Sequence, residues 1–365
     1  MATKAKKLAK YSELQDILGK ELPINAARLK FIVLLMTSLI KVQSVNFERL
    51  AQGFDNPVAL SSNLRRIQRF FASFTLDRDL VARLLYKLIP FKGPYGLTLD
   101  RTNWKFGQTN INILVLGVIY KGISFPLLWV FLGDKRGNSD QKQRIELMQR
   151  FIWLFGAQAI EFVTADREFI GDMWWQFLID HQIHFFIRLR ENMKVYIPHK
   201  GEVKAFWLFH NLPLNTAYYY PKIVQVKKNW VYLSGMKYLN QKGNIEYLIV
   251  ASFEKTTQAL EFYKQRWQIE TMFRAFKTAG FNLESTHLYN YDRLDKLLML
   301  VALAFIWAYK VGIYQHNNIK QLKIKKHGRL EKSFFAYGLE ILAQALLNAF
   351  EVSIRKLTLP FLSCT

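Results

Sequence analysis

The sequence predicts a mixed α/β protein in which helical segments lie on both sides of a strand-rich middle. Three observations support this fold class. Residues 1–90 show helical spacing of apolar side chains and many basic ones, and residues 95–190 show three strands, a helix, a strand, a helix and a strand. A β-rich stretch follows at residues 192–252, and helical spacing returns from Thr256 onward.

The composition favours functions that involve polyanions. The chain has 365 residues, of which 51% are hydrophobic, enough for a substantial core and more than one domain. Its 51 Lys and Arg against 28 Asp and Glu give a formal charge of +23. Nucleic acid is therefore the first expected partner, an anionic membrane surface the second, and a small-molecule phosphatase is disfavoured. The single cysteine excludes an internal disulfide and fits a reducing cytoplasm.

The first 90 residues predict a helical DNA-binding domain. Helices are expected at Ala26–Val42 and Asn46–Phe54, and Ser61 and Ser62 are candidate N-caps for a third. The third helix carries three arginines on one side: Arg65, Arg66 and Arg69. A short helix, a turn and a basic helix outline a helix-turn-helix reader of DNA, although a plain three-helix bundle gives a similar pattern. The basic charge supports contact with phosphates more firmly than contact with bases.

The middle of the chain has the element order of a ribonuclease H-like fold, a mixed sheet with helices on both faces. Apolar runs at 111–120 and 123–132 flank the tight Lys121-Gly122 turn, which predicts a hairpin. The other expected elements are a strand at 96–100, a helix at 139–155 capped by Ser139, a strand at 159–166, a helix at 172–181 and a strand at 184–190.

A β-rich insertion and a helical C-terminal region complete the predicted architecture. Helices are expected at Asp292–Ile313 and Ser333–Val352. The most apolar run, Leu297–Tyr309, is about thirteen residues long, whereas a membrane span needs about twenty. We therefore expect a buried helix there and no membrane partner. The short strands of the insertion are expected at 195–197, 223–226, 230–238 and 245–251.

The stretch Tyr263–Lys277 places four chemically active side chains on one helix face. It contains no Pro or Gly, so an uninterrupted helix is expected. At about 100° per residue, Tyr263, Arg266, Glu270 and Lys277 fall within an arc of roughly 60°. Taken alone, the pattern favours an ordinary amphipathic helix with a solvated charged face.

Two aspartates, Asp100 and Asp166, come at the ends of apolar strands, in LTLDRTNW and FVTADREF. In this sheet topology the two strands would be neighbours, so the carboxylates can face each other with Glu270 above them. One such aspartate alone is more typical of a strand-end turn, but three acids in this order are not. Three hard oxygen donors without His or Cys suit Mg²⁺ or Mn²⁺ and argue against zinc. Two such ions about 4 Å apart can activate a water or a 3′-hydroxyl.

The spacing Tyr-x2-Arg-x3-Glu-x6-Lys, with the two aspartates upstream, resembles the signature of cut-and-paste insertion-sequence transposases of the DDE class. The resemblance implies that Asp100, Asp166 and Glu270 form the catalytic and metal-binding triad, with two Mg²⁺ or Mn²⁺ ions. It implies DNA-holding roles for Tyr263, Arg266 and Lys277. Arg167 and Glu168, in the DREF run, would contact phosphate and support the site.

Several aromatic side chains are candidates for stacking on a displaced DNA base. Trp267, next to Arg266, is the first of them, and core packing explains it equally well. Trp230 and Tyr232 in the insertion are further candidates. Asn103 and Trp104 follow Asp100 closely and are expected to line the site.

The resemblance implies a bacterial cytoplasmic transposase that binds double-stranded DNA at the terminal inverted repeats of its own mobile element. It would cleave the element ends through a hairpin intermediate, join the 3′-hydroxyls to target DNA, and act as a homodimer in a synaptic complex. The implied layout is a DNA-binding domain (1–90), a ribonuclease H-like core (91–191 and 253–315), a β-rich insertion (192–252) and a helical region suited to dimerisation (316–365).

Two other classes of protein are compatible with the same features. A catalytically inactive DNA-binding regulator derived from a transposase would keep the charge and the N-terminal helices, but it is expected to have lost an acid. A metal-dependent nuclease of the same fold would keep the acids without needing the Tyr-Arg-Glu-Lys helix or the insertion. Strand transfer separates the nuclease from a transposase.

Overall fold

Among the described residues, helices come first and last along the chain, and strands dominate the middle. The computed structural model describes residues 12–133, 139–326, 328–348 and 357. In chain order the helices are α1 (Ser12–Glu21), α2 (Ala26–Val42), α3 (Phe47–Gln52), α4 (Leu60–Ser73), α5 (Arg78–Leu88), α6 (Gln141–Phe155), α7 (Asp172–Asp180), α8 (Ala259–Lys264), α9 (Gln268–Phe276), α10 (Tyr291–Asn318) and α11 (Phe334–Leu347). The strands are β1 (Tyr95–Phe106), β2 (Thr109–Tyr120), β3 (Ile123–Phe131), β4 (Ile160–Ala165), β5 (Phe185–Arg188), β6 (Lys194–Ile197), β7 (Gly201–Lys204), β8 (Tyr218–Tyr219), β9 (Val224–Val226), β10 (Asn229–Leu239) and β11 (Ile245–Ser252).

The chain folds into two compact units. One, the helical unit, consists of Met1–Phe91, Trp104–Ile111 and Met272–Thr365. The other, the sheet unit, consists of Lys92–Asn103 and Asn112–Thr271.

The sheet unit is built on a mixed sheet that has eleven strands in the described part of the chain. Their order is β3-β2-β1-β4-β5-β11-β10-β9-β6-β7, and β8 pairs with β10. Strands β1, β4 and β5 are parallel, whereas β11 runs antiparallel to β5. The order of three strands, helix, strand, helix and strand is the predicted one, and the mixed α/β, ribonuclease H-like fold class is confirmed.

Strand composition explains why the sheet is buried at its centre. Most residues of β2 and β3 are apolar and buried, and the polar Asn112 and Ser124 are buried among them. Strands buried on both faces form continuous apolar runs rather than alternating ones. The β2–β3 hairpin forms as predicted, with Tyr120 paired to Ile123 across the Lys121-Gly122 turn.

Two predicted helix caps are wrong. Helix α4 begins at Leu60, so Ser61 and Ser62 lie in its first turn, and its N-cap is Ala59 without a side-chain hydrogen bond. Helix α6 is capped by Asp140, in a capping box with Gln143, and not by Ser139. A carboxylate accepts more strongly than a hydroxyl, and here it lies one residue closer to the helix.

The long apolar helix of the helical unit exceeds its predicted length. Helix α10 has 28 residues and is long and apolar enough to cross a membrane, so the argument from a run of about thirteen residues is wrong. The predicted burial is confirmed, because 89% of its most apolar window is buried inside the protein. Core helices of globular proteins have this character.

Helices α10 and α11 approach each other closely at two glycines. A Cβ added to Gly338 would lie 1.8 Å from the carbonyl oxygen of Ala308, and one added to Gly312 would lie 1.8 Å from that of Phe334. Helix α11 begins one residue after the predicted start, and Ser333 is its N-cap, whose side chain accepts a hydrogen bond from the N–H of Ala336. Residues 349–352 of the predicted last helix lie outside the described residues.

Candidate active site

One edge of the sheet carries the two aspartates. Strands β1 and β4 are parallel, and their last paired residues are Leu99 and Ala165. Asp100 and Asp166 are the next residues of the two chain segments and therefore lie at the same edge. Each carboxylate accepts a hydrogen bond from the N–H of the residue that follows it, at 2.7 Å in both cases. Strand β1 itself continues to Phe106, so Asp100 ends the pairing with β4 but not the strand, contrary to prediction.

An ion pair ties together the segments that follow the two aspartates. Arg101 donates from Nε to Glu168 Oε1 at 2.6 Å and from Nη2 to Oε2 at 2.8 Å, and a third bond joins its Nη1 to Asn112 Oδ1. The two side chains are only 17% and 21% exposed. A two-pronged arginine–carboxylate bond fixes orientation as well as distance. The ion pair therefore fixes the position of the Asp100 segment relative to the Asp166 segment.

A second arginine supports this pair from helix α6. Arg144 is buried and donates to the side chain and carbonyl of Ser139 and, at 3.0 Å, to the carbonyl of Glu168. Its guanidinium lies 4.9 Å from the ring centroid of Phe169. Burial lowers the pKa of Arg144 to about 10, although the charge of Glu168 raises it. The turn after Asp166 is thus packed and hydrogen-bonded from both sides.

The stretch predicted as one uninterrupted helix is divided. Helix α8 ends at Lys264, a 3-10 turn covers Gln265–Trp267, and α9 begins at Gln268. Because a 3-10 turn has three residues per turn, side chains three apart eclipse one another. Arg266 lies in this turn and Tyr263 in the last turn of α8, and the guanidinium lies 6.0 Å from the phenol ring centroid.

Arg266 and Tyr263 link the three acids. Arg266 donates from Nη1 to Asp100 Oδ2 at 3.1 Å and from Nη2 to Glu270 Oε1 at 2.6 Å. The Tyr263 hydroxyl donates to Asp166 Oδ1 at 3.3 Å. The structure thus brings together five of the side chains singled out in the sequence, and Arg266 is only 11% exposed among them.

Burial perturbs the ionisation of Asp100. It raises the pKa of that carboxyl from 3.8 to about 6. Arg266 and the N–H of Arg101 act in the opposite direction, whereas the negative charges of Glu168 and Glu270 add to the rise. A further positive charge at this place would therefore be stabilising.

The pKa values of Tyr263 and Arg266, the two side chains that link the acids, are shifted as well. Burial raises the pKa of Tyr263, and the charge of Asp166 raises it further. Burial by itself would lower the pKa of Arg266, but Tyr263, Glu270 and Asp100 together raise it. Both groups therefore keep their protons at neutral pH and act as donors.

The acids fit a hard divalent cation by donor chemistry, since all three present carboxylate oxygens. Burial is the main cause of the raised pKa of Asp100, with smaller contributions from the charges of Glu168 and Glu270, and a cation beside the carboxylate would offset both effects. Among the described residues, however, no three acidic, His or Cys side chains form a ready-made metal cluster. The guanidinium of Arg266 holds the positive charge between Asp100 and Glu270 instead.

The remaining signature residue belongs to the helical unit. Lys277 follows α9 and forms an ion pair with Glu284 Oε1 at 2.7 Å. Its ammonium also lies 6.0 Å from the ring centroid of Trp104, which is buried. These contacts orient Lys277, and its predicted DNA contact stays a prediction.

The aromatic candidates differ in exposure. Trp267 is 64% exposed, so core packing, the ordinary alternative, is excluded for it. Trp230 is exposed and lies edge-on to Tyr196, with ring centroids 6.4 Å apart, whereas Tyr232 is half-buried. Stacking on a base remains a prediction for all three candidates.

The predicted DNA-contacting arginines are mostly at the surface. Arg65 and Arg69 on α4 are exposed, as is Arg167 in the turn after β4. Arg66 is half-buried, with its guanidinium 5.1 Å from the ring centroid of Phe31. Part of the Arg66 side chain therefore packs against Phe31 of α2.

Sequence reasoning missed Arg101 and Arg144. The signal for Arg101 was present, because an arginine directly follows both aspartates, as Asp100-Arg101 and Asp166-Arg167. Arg144 gave no comparable signal, since a single arginine in the first turns of an amphipathic helix is ordinarily solvated.

A comparison with protein families supports the resemblance inferred above. The family model for the transposase DDE domain matches residues 92–307, more than half of the chain. The chain therefore belongs to this family and is a DDE-class transposase, a DNA-cleaving enzyme class whose substrates are DNA. A comparison with curated proteins found no match.

Proposed function

We propose that this transposase binds the terminal inverted repeats of its own mobile element in the bacterial cytoplasm and excises and reinserts that element. Asp100, Asp166 and Glu270 are the catalytic residues of the proposal. The observation that supports it most directly is that the three acids lie together. Arg266 donates hydrogen bonds to Asp100 and Glu270, and Tyr263 donates one to Asp166.

DDE transposases generally use divalent metal ions. In our proposal Asp100, Asp166 and Glu270 hold two Mg²⁺ or Mn²⁺ ions, in keeping with their oxygen donors and with the buried charge of Asp100. When bound, the ions would activate the attacking oxygen and stabilise the leaving oxygen of an in-line displacement.

The first step is hydrolysis of a phosphodiester at the element end. A water oxygen forms the new bond to phosphorus, the bond to the 3′ oxygen breaks, and one water proton ends on that oxygen. Arg266 and Tyr263 would orient the reacting phosphate, since both are donors beside the acids. Preorganised donors of this kind lower the barrier because they need not reorient during the reaction.

The second step joins the element to new DNA. The freed 3′-hydroxyl attacks a target phosphorus, loses its proton, and displaces the target 3′ oxygen, which gains one. In our proposal a hairpin forms before this joining: the freed 3′-hydroxyl loses its proton, bonds to a phosphorus of the opposite strand and displaces the 3′ oxygen of the flanking DNA, which gains a proton. A second water then bonds to the same phosphorus and releases the element's 3′-hydroxyl. Trp267 is exposed and adjacent to Arg266, and it would stack on a base that is displaced when the hairpin forms.

The other parts of the chain would bring the DNA to these acids. We assign phosphate contacts to Lys277 and Arg167, and end recognition to Arg65, Arg66 and Arg69 on α4. We keep the layout of N-terminal DNA-binding domain, catalytic core, β-rich insertion and C-terminal region, and we propose a homodimer on paired element ends.

The test is cleavage of a labelled linear DNA that carries the element's own end, with Mg²⁺, by the wild type and by Glu270→Gln. We expect metal-dependent nicking and hairpin formation in the wild type and a loss of about a thousandfold in the variant, because a metal ligand supplies several kcal/mol of charge stabilisation. The matched control is Glu261→Gln, an exposed glutamate on α8, which should cleave normally.

Each other result selects another class of protein. Binding without cleavage in wild type and variant alike would support an inactive regulator. Cleavage without joining of the 3′-hydroxyl to target DNA would support a nuclease of the same fold. Cleavage that survives Glu270→Gln would remove Glu270 from the catalytic set.

A further inference from the structure

A large cleft lies within the helical unit, away from the residues assigned to catalysis. Its volume is about 880 Å³. One part of its lining comes from α3 and α4, and the other from the segment Thr286–Leu288 and from Arg293 in the first turn of α10. Segments more than 200 residues apart in sequence therefore share one concave surface.

The lining of the cleft is cationic. Arg65 and Arg69 from α4 and Arg293 from α10 are all exposed there, against a single acid, Glu48. Within the described part of the chain none of the three arginines makes an ion pair. Concave surfaces with one sign of charge concentrate ions of the opposite sign.

Hydrogen-bonding side chains and several apolar side chains complete the lining. Gln68 lies between the two arginines of α4, and His287 faces the same space from the other segment. His287 is held in place by stacking on Phe106, with ring centroids 5.2 Å apart and planes 20° apart. A lining of arginines, an amide and an imidazole is typical of surfaces that bind phosphates and base edges.

Two contacts join the two walls of the cleft. The N–H of Val45, which lines the cleft, donates to the carbonyl of Phe281 at 3.1 Å, and the hydroxyls of Ser44 and Ser285 lie 3.4 Å apart. Ser44 and Ser285 directly precede two lining residues, Val45 on one side and Thr286 on the other. The spacing of the walls is therefore set by the fold.

Helix α10 also anchors the C-terminal end of α4. Lys296 is buried and donates to the carbonyls of Phe71 and Phe74 at 2.5 and 2.8 Å. A lysine on the last carbonyls of a helix satisfies groups that have no partner in the helix itself. Because Lys296 lies one turn from Arg293, the helix that carries Arg293 also positions Arg65 and Arg69.

We propose that this cleft binds the phosphate backbone of duplex DNA, and that Arg293 and His287 contact the DNA together with Arg65, Gln68 and Arg69. DNA recognition is then shared between the N-terminal helices and the segment that follows the catalytic helix. The inference rests on the proposed function, because it takes DNA as the ligand. A small anionic ligand is the alternative occupant, since clefts of this size also hold such molecules.

The experiment measures the affinity of a duplex of about 30 base pairs, roughly three helical turns, as a function of salt. Each phosphate contact contributes about 0.9 to the slope of log affinity against log salt. We expect Arg293→Gln and Arg65→Gln each to reduce the slope by about 1. Arg293→Gln should weaken binding equally for element-end and unrelated sequences. Arg293→Lys should keep most of the slope.

The matched control is Lys121→Gln, which removes one exposed positive charge at the β2–β3 turn of the sheet unit. It should leave the slope unchanged. His287→Ala should weaken binding, because it removes a hydrogen-bonding side chain from the cleft. Thermal unfolding of each variant separates lost contacts from a lost fold.

The outcomes separate this inference from the proposed function. If Arg65→Gln lowers the slope while Arg293→Gln leaves it unchanged, as Lys121→Gln should, that result contradicts a DNA contact by Arg293 and leaves DNA binding by α4 supported. If none of the cleft variants changes the slope while the wild type still cleaves DNA, the inference fails and the transposase function stands. If inorganic phosphate at low concentration competes fully with DNA for the cleft, the small-anion alternative replaces the proposal.

Discussion

The acidic edge of the sheet unit and the cationic cleft of the helical unit use charge in opposite ways. At the acidic edge, Asp100, Asp166 and Glu270 each have a donor from Arg266, Tyr263 or the backbone at 2.6 to 3.3 Å. In the cleft, the arginines are exposed and make no ion pair among the described residues. The first arrangement holds atoms in position, and the second attracts a polyanion of variable sequence.

This difference has a physical reason. Bond-breaking chemistry loses rate steeply when a group moves by about 1 Å, so a proposed catalytic site benefits from side chains that hydrogen bonds hold in place. Phosphate binding by exposed arginines tolerates small displacements, because it depends mainly on counterion release. The two regions should therefore respond to mutation through different observables.

The largest expected effect is loss of catalysis without loss of binding. Asp166→Asn should reduce DNA cleavage by about a thousandfold, because an uncharged NH2 group replaces one of the carboxylate oxygens that we propose as metal ligands. The dissociation constant for DNA and its salt slope should stay within about twofold of the wild type. A large change in the salt slope would contradict the separation of the two regions.

The converse effect is expected in the cleft. The double variant Arg65→Gln, Arg69→Gln should lower the salt slope by about 2, which weakens binding strongly at physiological salt. Single-turnover cleavage at saturating protein should be unchanged, since the bound DNA meets the same acids. A slow reaction at saturation would show that α4 also sets the position of the scissile phosphate.

A smaller effect is expected for the ion pair that holds the two aspartates. Glu168→Gln leaves Arg101 half-buried without its anion, which should destabilise the fold by about 1–3 kcal/mol and slow cleavage. Thermal unfolding and single-turnover rates measure the two effects. Arg101→Gln should add little to Glu168→Gln in a double-mutant cycle, and fully additive effects would exclude the pair as a unit.

The smallest effect is a pH dependence of stability in protein without divalent metal. The pKa of Asp100 is about 6 in the folded state against 3.8 ordinarily, so protonation favours folding. This contribution is complete below about pH 3.8 and is lost as the pH rises through about 6. Between pH 7 and 5 the wild type should gain about 1 kcal/mol relative to Asp100→Asn, measured by thermal unfolding in EDTA. A difference that does not depend on pH would contradict the raised pKa.

The sequence by itself determined the element order and the place of the acids. Apolar runs such as 111–120 indicated buried strands, and the expected sheet topology placed Asp100 and Asp166 on neighbouring strands, as β1 and β4 are. The spacing of Tyr263, Arg266 and Glu270 was readable because it is local, and even the 3-10 turn keeps them on one face.

Only the tertiary structure decided which distant side chains meet. Arg266 bonds Asp100 across 166 positions, and Lys296 caps α4 across more than 220. Sequence patterns report the burial and periodicity of single elements, whereas these contacts depend on how separate elements pack. The bridging role of Arg266, the Arg101–Glu168 ion pair and the shared lining of the cleft all depend on such packing and could not be read from the order of residues.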